Sequence, residues 1–201
     1  VYHESWGRDA TSLYDGSSEI MPNLQSFYDK NKSTFVKFNR AYTNSTATDL
    51  SVPVILTGIE STSDLDKFQK IPFLWNWTEA FNMSSLLVSS QRFQWARFDQ
   101  YFLSSPPQEV ITAENSNSPV IHDIGIDDHI ATKSFVNELT LLSAKGPFLA
   151  ILNTNGMHAL FQRNSDFFRP SNEFSPYQKA AQIVDHAMKP FFILLHSNDL
   201  L

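Results

Sequence analysis

The chain has 201 residues, 42% hydrophobic and 18% charged, with a net charge of −6. That is globular composition, long enough for one domain with a buried core, and it offers no basic face to a nucleic acid. With no cysteine, a disulfide framework, a thiolate zinc site and a cysteine nucleophile drop out. No run of eighteen apolar residues would span a bilayer, and the opening VYHESWGRDA lacks the features of a signal peptide. Four N-x-S/T sequons, at Asn31, Asn44, Asn76 and Asn82, occur at about the chance rate for a chain rich in Asn, Ser and Thr.

In chain order, HESWGRD brings His3, Glu4 and Asp9 to the exit of a short first strand. Ligands collect at such exits in open α/β sheets, and hard carboxylates there suit a divalent cation, although a plain polar loop has the same composition. Pro22 opens a helix over PNLQSFYDKN, with Leu24, Phe27 and Tyr28 at helical spacing. STFVKFNRAYT follows, and the spacing of Phe35, Phe38 and Ala41-Tyr42 predicts a strand.

Next comes the densest hydroxyl cluster in the chain: Thr43, Ser45, Thr46, Thr48 and Ser51, leading into helical apolar spacing from Asp49 with Pro53 early in that helix. A Ser or Thr at a helix start is ordinarily an N-cap, and one suffices. Five hydroxyls exceed that need. Free N–H groups and the positive dipole end also bind phosphate or sulfate, and a hydroxyl there becomes a nucleophile when a metal lowers its pKa.

FLWNWTEAFNM predicts a helix and SSLLVSS a short buried strand. Asp127-Asp128 cap a long helix carrying Ile130, Phe135, Leu139 and Leu142 on one face, ended by Gly146. PFLAILNT is a continuous apolar run, suited to a strand covered on both faces. His158 follows it in a Gly-containing loop, where a lone His is more often incidental than functional. His122 and His129 match no metal-binding spacing, His186 and His196 fall on the last helix as surface or core-edge residues, and no P-loop, GxGxxG, HExxH or GxSxG is present. A last helix runs from Ser175 to about Ser197, with Pro190 as a kink or break. Strands alternating with helices predict an α/β fold: one domain over residues 1–201, a three-layer, largely parallel sheet with helices on both faces. With hardly any strand before Tyr2 and a helix at the end, the sheet is expected to be truncated at both ends.

The order and spacing of these segments resemble the alkaline phosphatase superfamily in its sulfatase branch. Glu4-Ser5 with Asp9 matches the acidic metal-ligand motif after the first strand, with Arg8 one place later than usual. Pro22-Asn23-Leu24 matches the PNL helix, and Arg40-Ala41-Tyr42-Thr43 the segment before the nucleophile. Thr48 falls at the nucleophile with Ser51, Thr57 and Gly58 in register. However, Leu50 and Val52 stand where sulfatases carry Pro and Arg, and a threonine cannot yield their aldehyde. Thr46-Ala47-Thr48-Asp49-Leu50-Ser51-Val52-Pro53 instead resembles the T-A-T-x-x-S-V-P of phosphoethanolamine transferases and, more loosely, the lipoteichoic acid synthases. Asn155-Gly156-Met157-His158 resembles their N-H-G-P loop, and Tyr177 to Ala180 with Asp185 their next helix.

The resemblance implies a transferase or hydrolase of phosphate or sulfate esters. Thr48 would be the catalytic nucleophile, Glu4 and Thr48 metal ligands, and Ser51 and His158 substrate contacts. The cofactor implied is a divalent metal, zinc first, with manganese, calcium or magnesium as alternatives. It further implies an ester substrate such as a lipid headgroup or glycan, and a membrane-attached or extracytoplasmic whole protein. An Asp and a His for the same metal would come from a strand beyond Leu201, so the domain is expected to be incomplete and this fragment alone inactive. A sulfatase-like hydrolase with an atypical nucleophile and a pseudoenzyme of the same fold are the alternatives.

Overall fold

The computed structural model describes residues 1–3, 5–14, 17–60, 62–68, 70–122, 124–158 and 165–197. Four strands form one sheet in the order β1 (Tyr2–His3), β6 (Phe148–Thr154), β2 (Ser84–Ser89), β3 (Glu109–Ile111), and every pairing in it is parallel. The heart of the sheet is β6 against β2, in register from Ser84↔Phe148 to Ser89↔Asn153. β1 adds two residues at the edge, Tyr2↔Asn153 and His3↔Thr154. A separate antiparallel pair joins β4 (Val120–His122) to β5 (Gly125–Ile126).

Period-two alternation on the central strands sends side chains into two layers. Leu86 and Val88 of β2 and Leu152 of β6 meet the helices α6 (Asp128–Ser143) and α7 (Pro176–Ser197), through Phe135, Leu139, Val184 and Met188. Leu87 and Ile151 point the other way, into a second core with Val52 and Leu56 of α2 (Thr48–Thr57) and an aromatic group of Phe73, Trp75, Phe93, Phe98 and Phe102. Continuous apolar runs on β2 and β6 follow from this double coverage. The expected three-layer, mostly parallel α/β architecture is what the chain adopts.

Most helices lie where their signals put them. α1 (Pro22–Lys30) starts at its proline, and α6 is capped by Asp127, whose carboxylate accepts the His129 N–H at 2.9 Å. Four expectations need correction. Residues 33–43 form no strand: Phe35 packs edge-on against Phe27 and Tyr28 of α1, the Phe38 carbonyl accepts from Tyr14 Oη, and Val36, Phe38 and Tyr42 face solvent. The alternation there has no adjacent strand to pair with among the described residues, and contacts of Phe35 with α1 and of residues 37–39 with Arg8, Leu13 and Tyr14 hold the segment instead. The helix expected over 73–83 contracts to α4 (Asn76–Ala80), because the Asn76 side chain bonds back to the Phe73 N–H and Asn82 takes a positive φ of 51°. α7 runs through Pro190 unbroken for 22 residues, and Pro53 is the sixth residue of α2 rather than part of its first turn. Two short helices complete the α-helices among the described residues, α3 (Leu65–Phe68) and α5 (Phe98–Phe102).

Candidate active site

A cavity of about 570 Å³ opens where the N-terminus of α2 faces the carboxyl end of β1. Tyr2, His3, Trp6, Thr43, Ser45 to Thr48, Ser51 and Tyr177 contribute to its wall. It lies at the carboxyl end of a parallel sheet, where ligands of open α/β folds are bound.

The hydroxyl cluster divides by role. Thr43 Oγ1 donates to the Ser45 carbonyl at 2.6 Å, and Ser45 Oγ accepts the Ala47 N–H at 3.2 Å, so these two fold the approach to the helix. The N-cap itself is Ala47, extended at φ −114°, ψ 130°, with no side-chain cap. The expectation that a hydroxyl caps this helix therefore fails. Thr48 is the first helical residue, and Ser51 lies three positions on, on the same face and the same cavity wall. Gly58 closes the helix in the left-handed region (φ 72°), its N–H on the Val54 carbonyl at 2.8 Å. Thr57 Oγ1 donates to the Pro53 carbonyl at 2.7 Å in the same last turn. The Thr-Gly pair of the motif is thus the stop signal of α2.

His3 ends β1 with Nδ1 2.5 Å from Thr154 Oγ1 at the end of β6, and its ring meets Trp6 edge-on at 4.0 Å. Desolvation in this packed position pushes its pKa down to about 3, so the imidazole is neutral near pH 7. Glu4, the proposed metal ligand, lies outside the described residues.

His158 is not on this cavity wall. It sits in the turn after β6, its N–H on the Asn155 carbonyl at 2.9 Å and its ring 6.2 Å from that of Trp95. The turn is anchored by Asp128, which accepts from Ser90 Oγ at 2.5 Å, Gly156 N at 2.9 Å and Asn155 N at 3.2 Å. Desolvation outweighs these donors and pushes the buried Asp128 carboxyl up to about 6.

Among the described residues, no three His, Asp or Glu side chains gather where they could hold a metal. The described wall offers neutral donors only, the hydroxyls and one imidazole. A hard cation needs carboxylate oxygen, so these donors fit part of a metal's ligand set and leave the charged part to Glu4 and to residues elsewhere. Thr48 and Ser51 stand together in one sequence segment; Tyr2 and Trp6, which give the cavity its aromatic side, carry no sequence signal that marks them. Among the described residues no helix is long and apolar enough to cross a membrane.

A family model described as Sulfatase matches residues 1–200. No curated protein matches at a significant level. Among solved structures, the chain is similar to a protein of the alkaline phosphatase superfamily from Vibrio parahaemolyticus (TM-score 0.74, 16% identity, covering 96% of this chain and 48% of that one). It is also similar to the lipoteichoic acid synthase LtaP from Listeria monocytogenes (0.71, 14%, 96% and 50%). A third is the C-terminal periplasmic domain of EcEptC from Escherichia coli in complex with Zn (0.67, 17%, 96% and 57%). The chain thus spans about half the length of these neighbours, and at such identities the likeness is one of fold.

Proposed function

The chain belongs to the sulfatase family, and from that membership we propose that the whole protein is a metal-dependent transferase or hydrolase of phosphate or sulfate esters, with Thr48 as nucleophile. The observation that carries this reading is the position of Thr48: first residue of a helix capped only by alanine, on the wall of a cavity at the carboxyl end of β1. An anion seated there meets the positive end of α2 and a rim of hydroxyls. Thr48 Oγ gives up its proton to solvent and bonds to phosphorus, while the bond from phosphorus to the departing alcohol breaks. Water or an acceptor hydroxyl then attacks the phospho-threonine, releasing Thr48. Ser51, one turn along the same face, holds a non-bridging oxygen, and His158 is a substrate contact by resemblance alone.

Glu4 and Thr48 are the proposed metal ligands, and zinc is the first candidate, in line with the Zn-bound EcEptC domain. The metal's contribution is charge: it lowers the hydroxyl pKa and offsets the negative charge that builds up at the ester. A lipid headgroup or glycan ester as substrate, and a membrane-attached or extracytoplasmic setting, agree with the periplasmic domain and the lipoteichoic acid synthase among the neighbours. Residues 1–201 form one incomplete domain in this reading. By themselves they are expected to bind zinc weakly and turn over little, since Glu4 and Thr48 leave the metal short of ligands.

The test is turnover by the full-length protein on a phosphodiester and on an aryl sulfate. Thr48→Ala should lower kcat by roughly a hundredfold or more, Thr48→Ser should keep part of it, and a phosphorylated Thr48 peptide should be recoverable after acid quench. Preference for the sulfate would favour a sulfatase-like hydrolase. Full activity in Thr48→Ala would overturn the nucleophile, and a wild type inert on both substrates would favour a pseudoenzyme.

A further inference from the structure

Two histidines that no motif claims meet between the long helices. His129, in the first turn of α6, and His186, in the middle of α7, face each other with Nε2 of the first 2.8 Å from Nδ1 of the second. On the other side of the His129 ring, Nδ1 lies 2.8 Å from Asp127 Oδ1, with Ser165 Oγ 3.3 Å from the same nitrogen. Phe167 stacks on His129, with centroids 5.2 Å apart and planes at 24°, and Phe168 stacks on His186 at 4.5 Å and 13°. The line Asp127–His129–His186 therefore joins α6, α7 and residues 165–168. Beyond it, Gln182 of α7 accepts the Ser171 N–H at 3.0 Å, which bounds the segment on its carboxyl side.

Such a line accommodates only a limited number of protons. Burial opposes ionisation of Asp127, but donors on His129 and Ser165 outweigh it and hold the carboxyl below its usual pKa. With Asp127 ionised, His129 donates to it from Nδ1, and His186 donates from Nδ1 to His129 Nε2. A first added proton binds His186 Nε2, while the shared proton passes to His129 Nε2. His129 is then an imidazolium that donates on both sides, and Asp127 offsets its charge. A second added proton has only His186 Nδ1 left to bind, which sets two N–H donors and two positive charges against each other. No further carboxylate is turned to the pair: Asp128 holds the Asn155-Gly156 turn and Asp185 caps α1. Lys133 and Lys189 stand one helical turn beyond the two histidines, and Asp166 and Arg169 are exposed on the segment. Burial first, then His129 and Lys189, already holds the His186 pKa below the usual imidazole value.

We propose that the histidine pair is an acid-released clasp, which keeps residues 165–168 on α6 and α7 until both imidazoles are charged and then lets them go. The test is hydrogen exchange of residues 165–168 in the full-length protein between about pH 7.5 and 5, corrected for the intrinsic exchange rate. Protection should fall about tenfold per pH unit below pH ~6.5, since opening takes up one proton. His186→Gln keeps an amide donor toward His129 and cannot take a charge, so its protection should stay level. In the wild type, the Hε1 resonances of the two rings should titrate in steps about one pH unit or more apart, a reading that needs no variant to fold. Level protection in the wild type, an equal fall in His186→Gln, or two rings that titrate together would each overturn the clasp.

Discussion

At the scale of single residues, Asp128 makes the sharpest statement. Its carboxyl is buried, takes three hydrogen bonds, and titrates at about 6 rather than near 4. A pKa raised on folding means that the folded state keeps a proton which the unfolded chain has lost. The contribution is fully present below pH ~4 and is lost as pH rises through about 6, on the order of 3 kcal/mol. His186, lowered mainly by burial, runs the other way and costs stability as pH falls below about 6.5. The Asp128 part is therefore read as a difference: wild-type minus Asp128→Asn stability, from urea melts, should fall between pH 4 and 6.5. A flat difference would place the titration elsewhere. Nothing in the sequence marks Asp128 apart from its neighbour. Both aspartates stand at a helix start, yet Asp127 caps the helix while Asp128 turns inward to hold the Asn155-Gly156 turn. The hydroxyl cluster was visible as an excess, but its division into turn-formers and cavity wall depends on Ala47 being the cap. Composition cannot reveal that.

The elements show where local signals stop being sufficient. α1 begins at Pro22, as its sequence indicates, but its N-cap is Met21, which has no capping group. The cap comes from α7: Asp185 accepts from Asn23 N at 2.9 Å, Leu24 N at 2.8 Å and Asn23 Nδ2 at 2.8 Å. Asp185→Ala should thus fray α1 and lower global stability by roughly 2 kcal/mol, checked by denaturant melts and amide exchange at residues 23–26. Unchanged exchange there would show that packing alone holds the helix. β6 and α6 were legible because their apolar patterns match what covers them. Residues 33–43 were not, since alternation predicts a strand only where a neighbouring edge is available, and adjacency is a tertiary fact.

For the whole molecule, the two helical layers share β2 and β6, so neither core can melt alone without exposing the back of the other. Leu87→Ala removes a fully buried side chain from the aromatic layer and should cost about 3 kcal/mol. Its unfolding should remain one transition, with tryptophan fluorescence, from Trp75 and Trp95 in that layer and Trp6 beside the other, coinciding with far-UV circular dichroism. Separate midpoints would mean that the layers are independent units. The α/β class and the parallel sheet were readable from alternating patterns, whereas the assignment of α2 to one face and α6 and α7 to the other follows from the parity of Leu86 and Leu87, a single-residue matter.

The long-range ties at the amino end also have a temporal meaning. β1 pairs with residues 153 and 154, its outgoing turn waits for Tyr177, and α1 waits for Asp185. On the ribosome, at about 5–20 residues per second, the first thirty residues would emerge on the order of ten seconds before their partners exist. The amino terminus of this domain is thus made first and finished last. Whatever keeps it from sticking elsewhere in that interval must come from its own polar sequence or from a chaperone.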